Sequence, residues 1–448
     1  MRVSAHIGMF GVWCVAFLIA ALFSGCGSSK TQLVVPPPNA PVGLPTPAAP
    51  GPVNTYSGVQ SPGAWSFTLD NSQSDFSFQP VTYSAPAISG SLKSSGGFSM
   101  LDPGALAYEV LGRAAVLRPG GNNDMPVFGV PQTQCYAITG RLRFQYIAMF
   151  AGVEDSGSPD VAQTTAPFLG YGSVVASTDT TGANWQFTNL QGGTWGGRTD
   201  ASGNIVSGPD SFTGACATAS SQASIQLTGS SVLNTAWTPD TVTPGPGMQS
   251  TIWIGPSGFF AADQIEAGQS TPTGASVAGV AEPPNSLPTW DVSSSTYLGM
   301  MYVAANTVNY GNGAAASPAY TMPVGFGQVV PGTAATMTGG AFPNDDVTAM
   351  PNSDIQISLG AEDGTLNGLY ASASITVLDP AQNCANFVYF SLSGVVTTGI
   401  NAQGYTTCTF PAVAVAGKPE GKYAVFVNSY NWAVQYGGAP MQFYLFQQ

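Results

Sequence analysis

Six glutamates, Glu109, Glu154, Glu266, Glu282, Glu362 and Glu420, are the scarcest acid-base groups in this 448-residue chain, whose only histidine is His6. With no histidine further along, Ser-His-Asp and Cys-His catalysis and imidazole-ligated zinc are excluded from the body of the protein. Neither a Gly-x-Ser-x-Gly elbow nor a Ser-x-x-Lys dyad occurs. Carboxylate chemistry is what remains: a glycosidase needs two carboxyl groups, one as acid and one as base or nucleophile. Glu154-Asp155 and Glu362-Asp363 stand beside glycines in turn-like surroundings, where solvated loop tips are the plainer reading, and nothing in the sequence ties two carboxylates together in space.

Two other groupings could bind rather than react. Asn344, Asp345 and Asp346, with Asp354 eight residues on, form the densest set of oxygen ligands. Calcium favours such a set on a flexible loop, although no EF-hand spacing is present and an Asx-rich turn explains the same residues. Trp195, inside Gly192-Gly193-Thr194-Trp195-Gly196-Gly197, has few neighbours to bury it and is the candidate stacking platform for a sugar. The other tryptophans read as strand interiors. No organic cofactor is expected.

The elements that must hold these residues are strands. Gly (55) and Pro (35) punctuate almost every segment and leave little room for long helices. Apolar residues alternate with hydroxyls in Trp65-Ser66-Phe67-Thr68-Leu69 and again in Phe76-Ser77-Phe78, which reads as a hairpin across Asp70-Asn71-Ser72. Further strands are expected at 108–116, 142–150, 171–176, 184–188, 224–227, 251–260, 297–304, 325–330, 354–359, 369–378, 387–392, 406–415, 422–427 and 441–446. Asp363-Gly364 and Asn367-Gly368 are hairpin-type turns. The fold class is all-β, antiparallel meanders forming sandwich or barrel-like domains. Tyr146 to Phe150 followed by Pro167 to Val175 is echoed by Tyr297 to Met301 followed by Met322 to Val330, which raises the question of a duplication.

Ahead of the body lies a different kind of segment. Arg2 and His6 precede an apolar run, Ile7 to Leu22, broken by Gly8 and Gly11 and short for a membrane span. The junction Leu22-Phe23-Ser24-Gly25-Cys26-Gly27 resembles the lipobox of bacterial lipoproteins, with Phe23 where that family usually carries leucine. The resemblance covers about 30 residues at the N-terminus. It implies cleavage before Cys26, acylation of that cysteine (the palmitate of such anchors) and a stable hold on the membrane without a spanning helix. Gly27, not aspartate, follows the cysteine, which in that family points to the outer membrane, facing the periplasm or the surface.

The expected organisation is therefore a signal peptide (1–25), a proline-rich tether (26–57), a first all-β domain (58–268), a linker (269–290) and a second all-β domain (291–448). At about 3 Å per residue the tether reaches roughly 80 to 90 Å. Once Arg2 leaves with the signal, nine basic residues face 23 acidic ones, which argues against nucleic acid. Only 7% of residues are charged while 44% are apolar, so there is material for a core and a surface kept wet by uncharged polar groups. Four cysteines remain beyond Cys26 in the body, and in an exported chain they read as two disulfides. Cys135 with Cys216 and Cys384 with Cys408 is the favoured pairing, each closing a loop within one half and contributing on the order of 3 to 4 kcal/mol. The functional expectation is a non-catalytic, lipid-anchored envelope protein with a binding, adhesion or structural role toward a glycan or another envelope protein. A carboxylate-dependent polysaccharide hydrolase or lyase is the alternative, and a barrel carrying an apolar ligand is a third.

Overall fold

The computed structural model describes residues 51, 53–59, 64–81, 87–101, 104–119, 125–131, 141–151, 168–178, 184–192, 198–199, 205–206, 211–216, 224–227, 249–255, 257–265, 274–282, 295–303, 320–329, 336–364, 366–378, 390–391, 394–395, 397–401, 404–429 and 441–448. Nearly all of them are in strands, and every strand pairing is antiparallel, as the all-β expectation requires.

The first barrel is a closed eight-stranded meander. It runs β1 (Val53–Val59), β2 (Ala64–Asp70), β3 (Asp75–Pro80), β4 (Ile88–Ser95), β5 (Phe98–Leu101), β6 (Ala105–Val110), β7 (Ala114–Arg118) and β8 (Val127–Pro131). It closes where β1 pairs with β8, Gly58 opposite Gly129. Trp65, Phe67 and Leu69 of β2 point inside with Tyr56, Phe76 and Phe78. The Trp65 and Phe78 rings stack at 4.0 Å.

A second closed barrel uses β9 (Arg141–Ala151), β10 (Phe168–Thr178), β11 (Asn184–Gly192), β14 (Ser211–Cys216), β15 (Ser224–Leu227), β16 (Gln249–Ile254), β17 (Phe259–Ile265) and β18 (Gly274–Glu282). A small hairpin, β12 (Arg198–Thr199) with β13 (Ile205–Val206), is inserted after its third strand. Phe144 is its central ring, at 4.9 Å from Phe260, 5.9 Å from Phe187 and 6.5 Å from Trp185.

The rest of the chain forms a curled nine-stranded sheet. Its strands are β19 (Thr296–Val303), β20 (Tyr320–Val329), β21 (Thr336–Ala341), β22 (Ile355–Ser358), β23 (Leu369–Leu378), β26 (Thr397–Ile400), β27 (Thr406–Gly417), β28 (Ala424–Ser429) and β29 (Met441–Gln447). β24 (Phe390–Ser391) and β25 (Gly394–Val395) make a separate hairpin. Because β23 also pairs with β27, eight of the nine strands join into a ring, the third barrel-like layer, in meander order.

A common apolar core explains why so many strands are buried on both faces. Alternate residues of a barrel strand point into its lumen, and the others face outward. Here the outward residues of the three rings meet one another: Val116 and Phe128 from the first, Phe259 and Val280 from the second, Phe426 and Tyr444 from the third. Phe128 lies 5.4 Å from Phe426, 5.7 Å from Tyr444 and 6.4 Å from Phe259. A strand such as β7 is therefore buried along its whole length, Ala115 and Leu117 inside and Ala114 and Val116 outside.

The strand bounds cross the expected segment boundaries. β1 begins at Val53, inside the stretch read as tether, because Tyr56 supplies an interior ring and the strand is needed to close the barrel. The segment 58–268 holds the first barrel apart from most of β1, and the second apart from β18. The stretch 269–290, read as a linker for its loss of aromatics, contains β18, which closes the second barrel against β9. Its residues are small because a wall buried on both sides leaves little space: a Cβ on Gly279 would stand 2.0 Å from the Gln145 carbonyl oxygen. Two expected strands, 108–116 and 251–260, are each broken by a turn into β6 and β7 and into β16 and β17. The sequence echo falls on equivalent elements, since Tyr146 to Phe150 and Tyr297 to Met301 lie in first strands (β9, β19) and their followers in second strands (β10, β20).

Candidate functional site

The described residues that face the interiors of the three rings cluster into apolar cores. Chemistry has to be sought where polar groups enter these cores or bridge them.

One such place is inside the first barrel. On β6, Ala105 and Ala107 point inward, and Glu109 continues that face near the barrel end. Its Oε1 accepts hydrogen bonds from the Tyr56 hydroxyl at 2.5 Å and from Asn54 Nδ2 at 2.8 Å. Burial pushes the Glu109 carboxyl above its ordinary range, while the bonds from Tyr56, Asn54 and Asn71 pull it back. Tyr56 is held well above the usual phenol value by burial and by the Glu109 charge, so it stays protonated and donates. None of Glu109's described partners is a second carboxylate, so the cluster lacks the pair that glycoside cleavage needs.

Asp263 on β17 is the most deeply buried acid among the described residues, at 2% exposure. It points away from the second barrel's lumen, as Phe259 and Ala261 do, and accepts the Thr251 backbone N–H at 2.8 Å. Burial pushes it up to about 7. Ser276 of β18 is its neighbour across the ladder and is also buried.

Polar bridges join the rings. Arg118 of β7 is buried and donates to the Thr321 carbonyl at 2.7 Å and to Asp345 Oδ2 at 2.9 Å, tying the first barrel to the third layer. Arg143 Nη2 donates to the Asn367 carbonyl at 2.5 Å and Gln145 Nε2 donates to the same oxygen, tying the second barrel to the connection between β22 and β23. Asn428 Nδ2 reaches the Ala148 carbonyl at 3.1 Å. Sequence reading did not single out Arg118, Arg143, Gln145 or Asp263. The available signal was a charged or amide side chain at an alternating position within an otherwise apolar strand.

The residues singled out beforehand fare differently. The Asn344-Asp345-Asp346 set lies at a 3₁₀ turn, Pro343–Asp345, with Asn344 and Asp345 at positive φ. Its carboxylates lead in different directions. Asp345 turns to Arg118. Asp346 is fully exposed and accepts from the Thr348 hydroxyl and N–H, which hold its carboxyl below the ordinary range. Asp354 is pushed upward by burial and lies over Gly340, where an added Cβ would come within 2.2 Å of its Oδ1. Among the described residues no group of three or more His, Cys, Asp or Glu is placed to hold a metal ion. Cys216 faces the second barrel's interior and Cys408 the third layer's. Cys26, Cys135, Cys384 and Trp195 lie outside the described residues. No helix among the described residues is long and apolar enough to cross a membrane.

No family model matches the chain, and no curated protein matches it in sequence. Among solved structures it is similar to a transferrin-binding protein B double mutant from Haemophilus parasuis Hp5, at 7% identity and a TM-score of 0.28, over 90% of this chain and 78% of that one. It is also similar to isotype 1 transferrin-binding protein B from serogroup B Neisseria meningitidis, at 10% identity and a TM-score of 0.25, over 86% of this chain and 66% of that one. At these TM-scores neither likeness bears on what this chain binds.

Proposed function

We propose that this protein is a lipid-anchored, non-catalytic component of the bacterial cell envelope, held at the outer membrane through Cys26, with a binding, adhesion or structural role toward a glycan or another envelope protein. The observation that carries the non-catalytic reading is the use made of the carboxylates. Asp70 and Asp346 serve their own turns. Glu362 and Asp363 accept backbone N–H groups of a single loop. Asp345 is paired with Arg118, Asp263 takes the Thr251 N–H, and Glu109 is engaged with Tyr56 and Asn54. None of these bonds brings two carboxylates to one substrate position.

The pairing Cys135 with Cys216 and Cys384 with Cys408 belongs to the same proposal. Its support is that Cys216 and Cys408 lie in separate cores, which favours pairing each within its own half of the chain. Two disulfides within packed barrels suit a protein exported to an oxidising compartment.

The test is a screen of the intact chain against envelope polysaccharides, read both as reducing-end release and as thermal shift. A ligand that binds only the folded state raises stability by about 2.7 kcal/mol at a hundredfold excess over Kd, enough to see. Binding without release of reducing ends is expected. Turnover abolished by Glu109→Gln would overturn the reading in favour of a carboxylate-dependent hydrolase or lyase.

A further inference from the structure

One peptide unit on the seam between the second barrel and the third layer is held at both ends by charged or polar groups. It is the bond between Asn367 and Gly368, in the connection from β22 to β23. Its carbonyl oxygen accepts from the Arg143 guanidinium at 2.5 Å and from the Gln145 amide, both on β9. Its N–H donates to the Glu362 carboxylate. Gly368 stands at φ 81, in the left-handed region that glycine adopts freely. Gly368 is buried, while Asn367 is exposed.

That arrangement activates a particular reaction. A peptide N–H loses its proton more easily when the oxygen of the same unit, onto which the negative charge spreads, is bound by a cation and a second donor. A carboxylate already bonded to the N–H is the base that takes the proton. The residue supplying the carbonyl is an asparagine, whose side-chain amide carbon is the electrophile that this nitrogen reaches through a five-membered ring. The following glycine offers no side chain in the way.

We propose that Asn367-Gly368 is a self-modification site at which the folded protein promotes succinimide formation. Glu362 takes the proton from the Gly368 nitrogen, whose electron pair forms a bond to Asn367 Cγ. The Cγ–Nδ2 bond then breaks, and ammonia leaves carrying the proton returned by Glu362. The exposed position of Asn367 lets ammonia out and water in. Water adds to one of the two ring carbonyls, giving aspartate or isoaspartate in place of asparagine. In the isoaspartate form the former peptide carbonyl becomes a free carboxylate at the position Arg143 and Gln145 already bind. The seam then gains an ion pair between barrel and third layer, favoured over the neutral bond it replaces.

The experiment incubates the intact, folded chain and follows Asn367 by peptide mapping, with fragmentation that separates isoaspartate from aspartate. The same chain unfolded in urea at the same pH is the reference, and Asn312-Gly313, the chain's other Asn-Gly step from residue 305 onward, is read in the same digests. Conversion at Asn367 is expected to be about a hundredfold or more faster in the folded protein than in the unfolded chain, the lower range of general-base assistance. Glu362→Gln, shown by its melting transition to be folded, should fall to the unfolded rate or below. A folded rate equal to or slower than the unfolded rate overturns the proposal without reliance on any variant. A folded Glu362→Gln protein that converts as fast as wild type overturns the role given to that carboxylate.

Discussion

Asp263 sets a pH dependence that can be worked out in advance. Its carboxyl is buried on β17, and burial lifts it from 3.8 to about 7. The folded state therefore holds this proton over a range in which the unfolded chain has released it. Stability from this group is complete below the unfolded value of 3.8, declines as pH rises through the interval, and is fully lost above about 7. A displacement of about three units at 1.36 kcal/mol each makes the whole swing about 4 kcal/mol. Replacing the side chain by an amide of the same shape, Asp263→Asn, keeps an acceptor for the Thr251 N–H and removes the titration. Urea unfolding of both proteins at about pH 4 and about pH 8.5 isolates the effect, because other acids titrate alike in the two chains. Relative to wild type, the asparagine variant should gain up to about 4 kcal/mol on going to the higher pH. Parallel pH profiles for the two proteins, within about 0.5 kcal/mol throughout, would refute the reasoning.

Other substitutions follow from the same geometry. Phe128→Ala removes the ring shared by all three layers and should cost about 3 to 5 kcal/mol in chemical unfolding, with one transition for the whole body. Glu109→Ala leaves the Tyr56 hydroxyl and the Asn54 amide without their acceptor inside the first barrel and should cost about 1 to 3 kcal/mol, while Glu109→Gln loses less. Asp345→Ala takes the carboxylate from the buried Arg118 and should cost about 3 kcal/mol by thermal melting. Gly299→Ala should lower folded yield on expression, since the new Cβ would stand 1.8 Å from the Tyr444 carbonyl oxygen.

The all-β class, the first hairpin and several strands were legible because their alternation has a single wet face. Leu369–Leu378 and Ser224–Leu227 are strands over the whole span expected of them. The number and closure of the rings were not legible. Strands such as β7 and β18 are buried on both faces, so their apolar run carries no period, and the small residues of β18 imitate a linker. Tyr56 and Trp65 show the difference: Trp65 alternates within Ala64–Asp70, whereas Tyr56 lies among Ser and Gly in a stretch continuous with prolines. The candidate ligand set was legible as composition but not as geometry, because Asp345 is held by an arginine more than two hundred residues away. A bond of that span leaves no local trace in the sequence. Arg143 and Gln145 are hidden for the same reason, and their shared acceptor lies on a turn that was visible only as an Asn-Gly step.

The measurement that tests the central claim most directly is labelling with radioactive palmitate in a didermal host, followed by separation of the membranes, for wild type and Cys26→Ser. Label on wild type alone, recovered with the outer membrane, is the predicted result. An unlabelled wild type, or a serine variant labelled to the same extent, would contradict it.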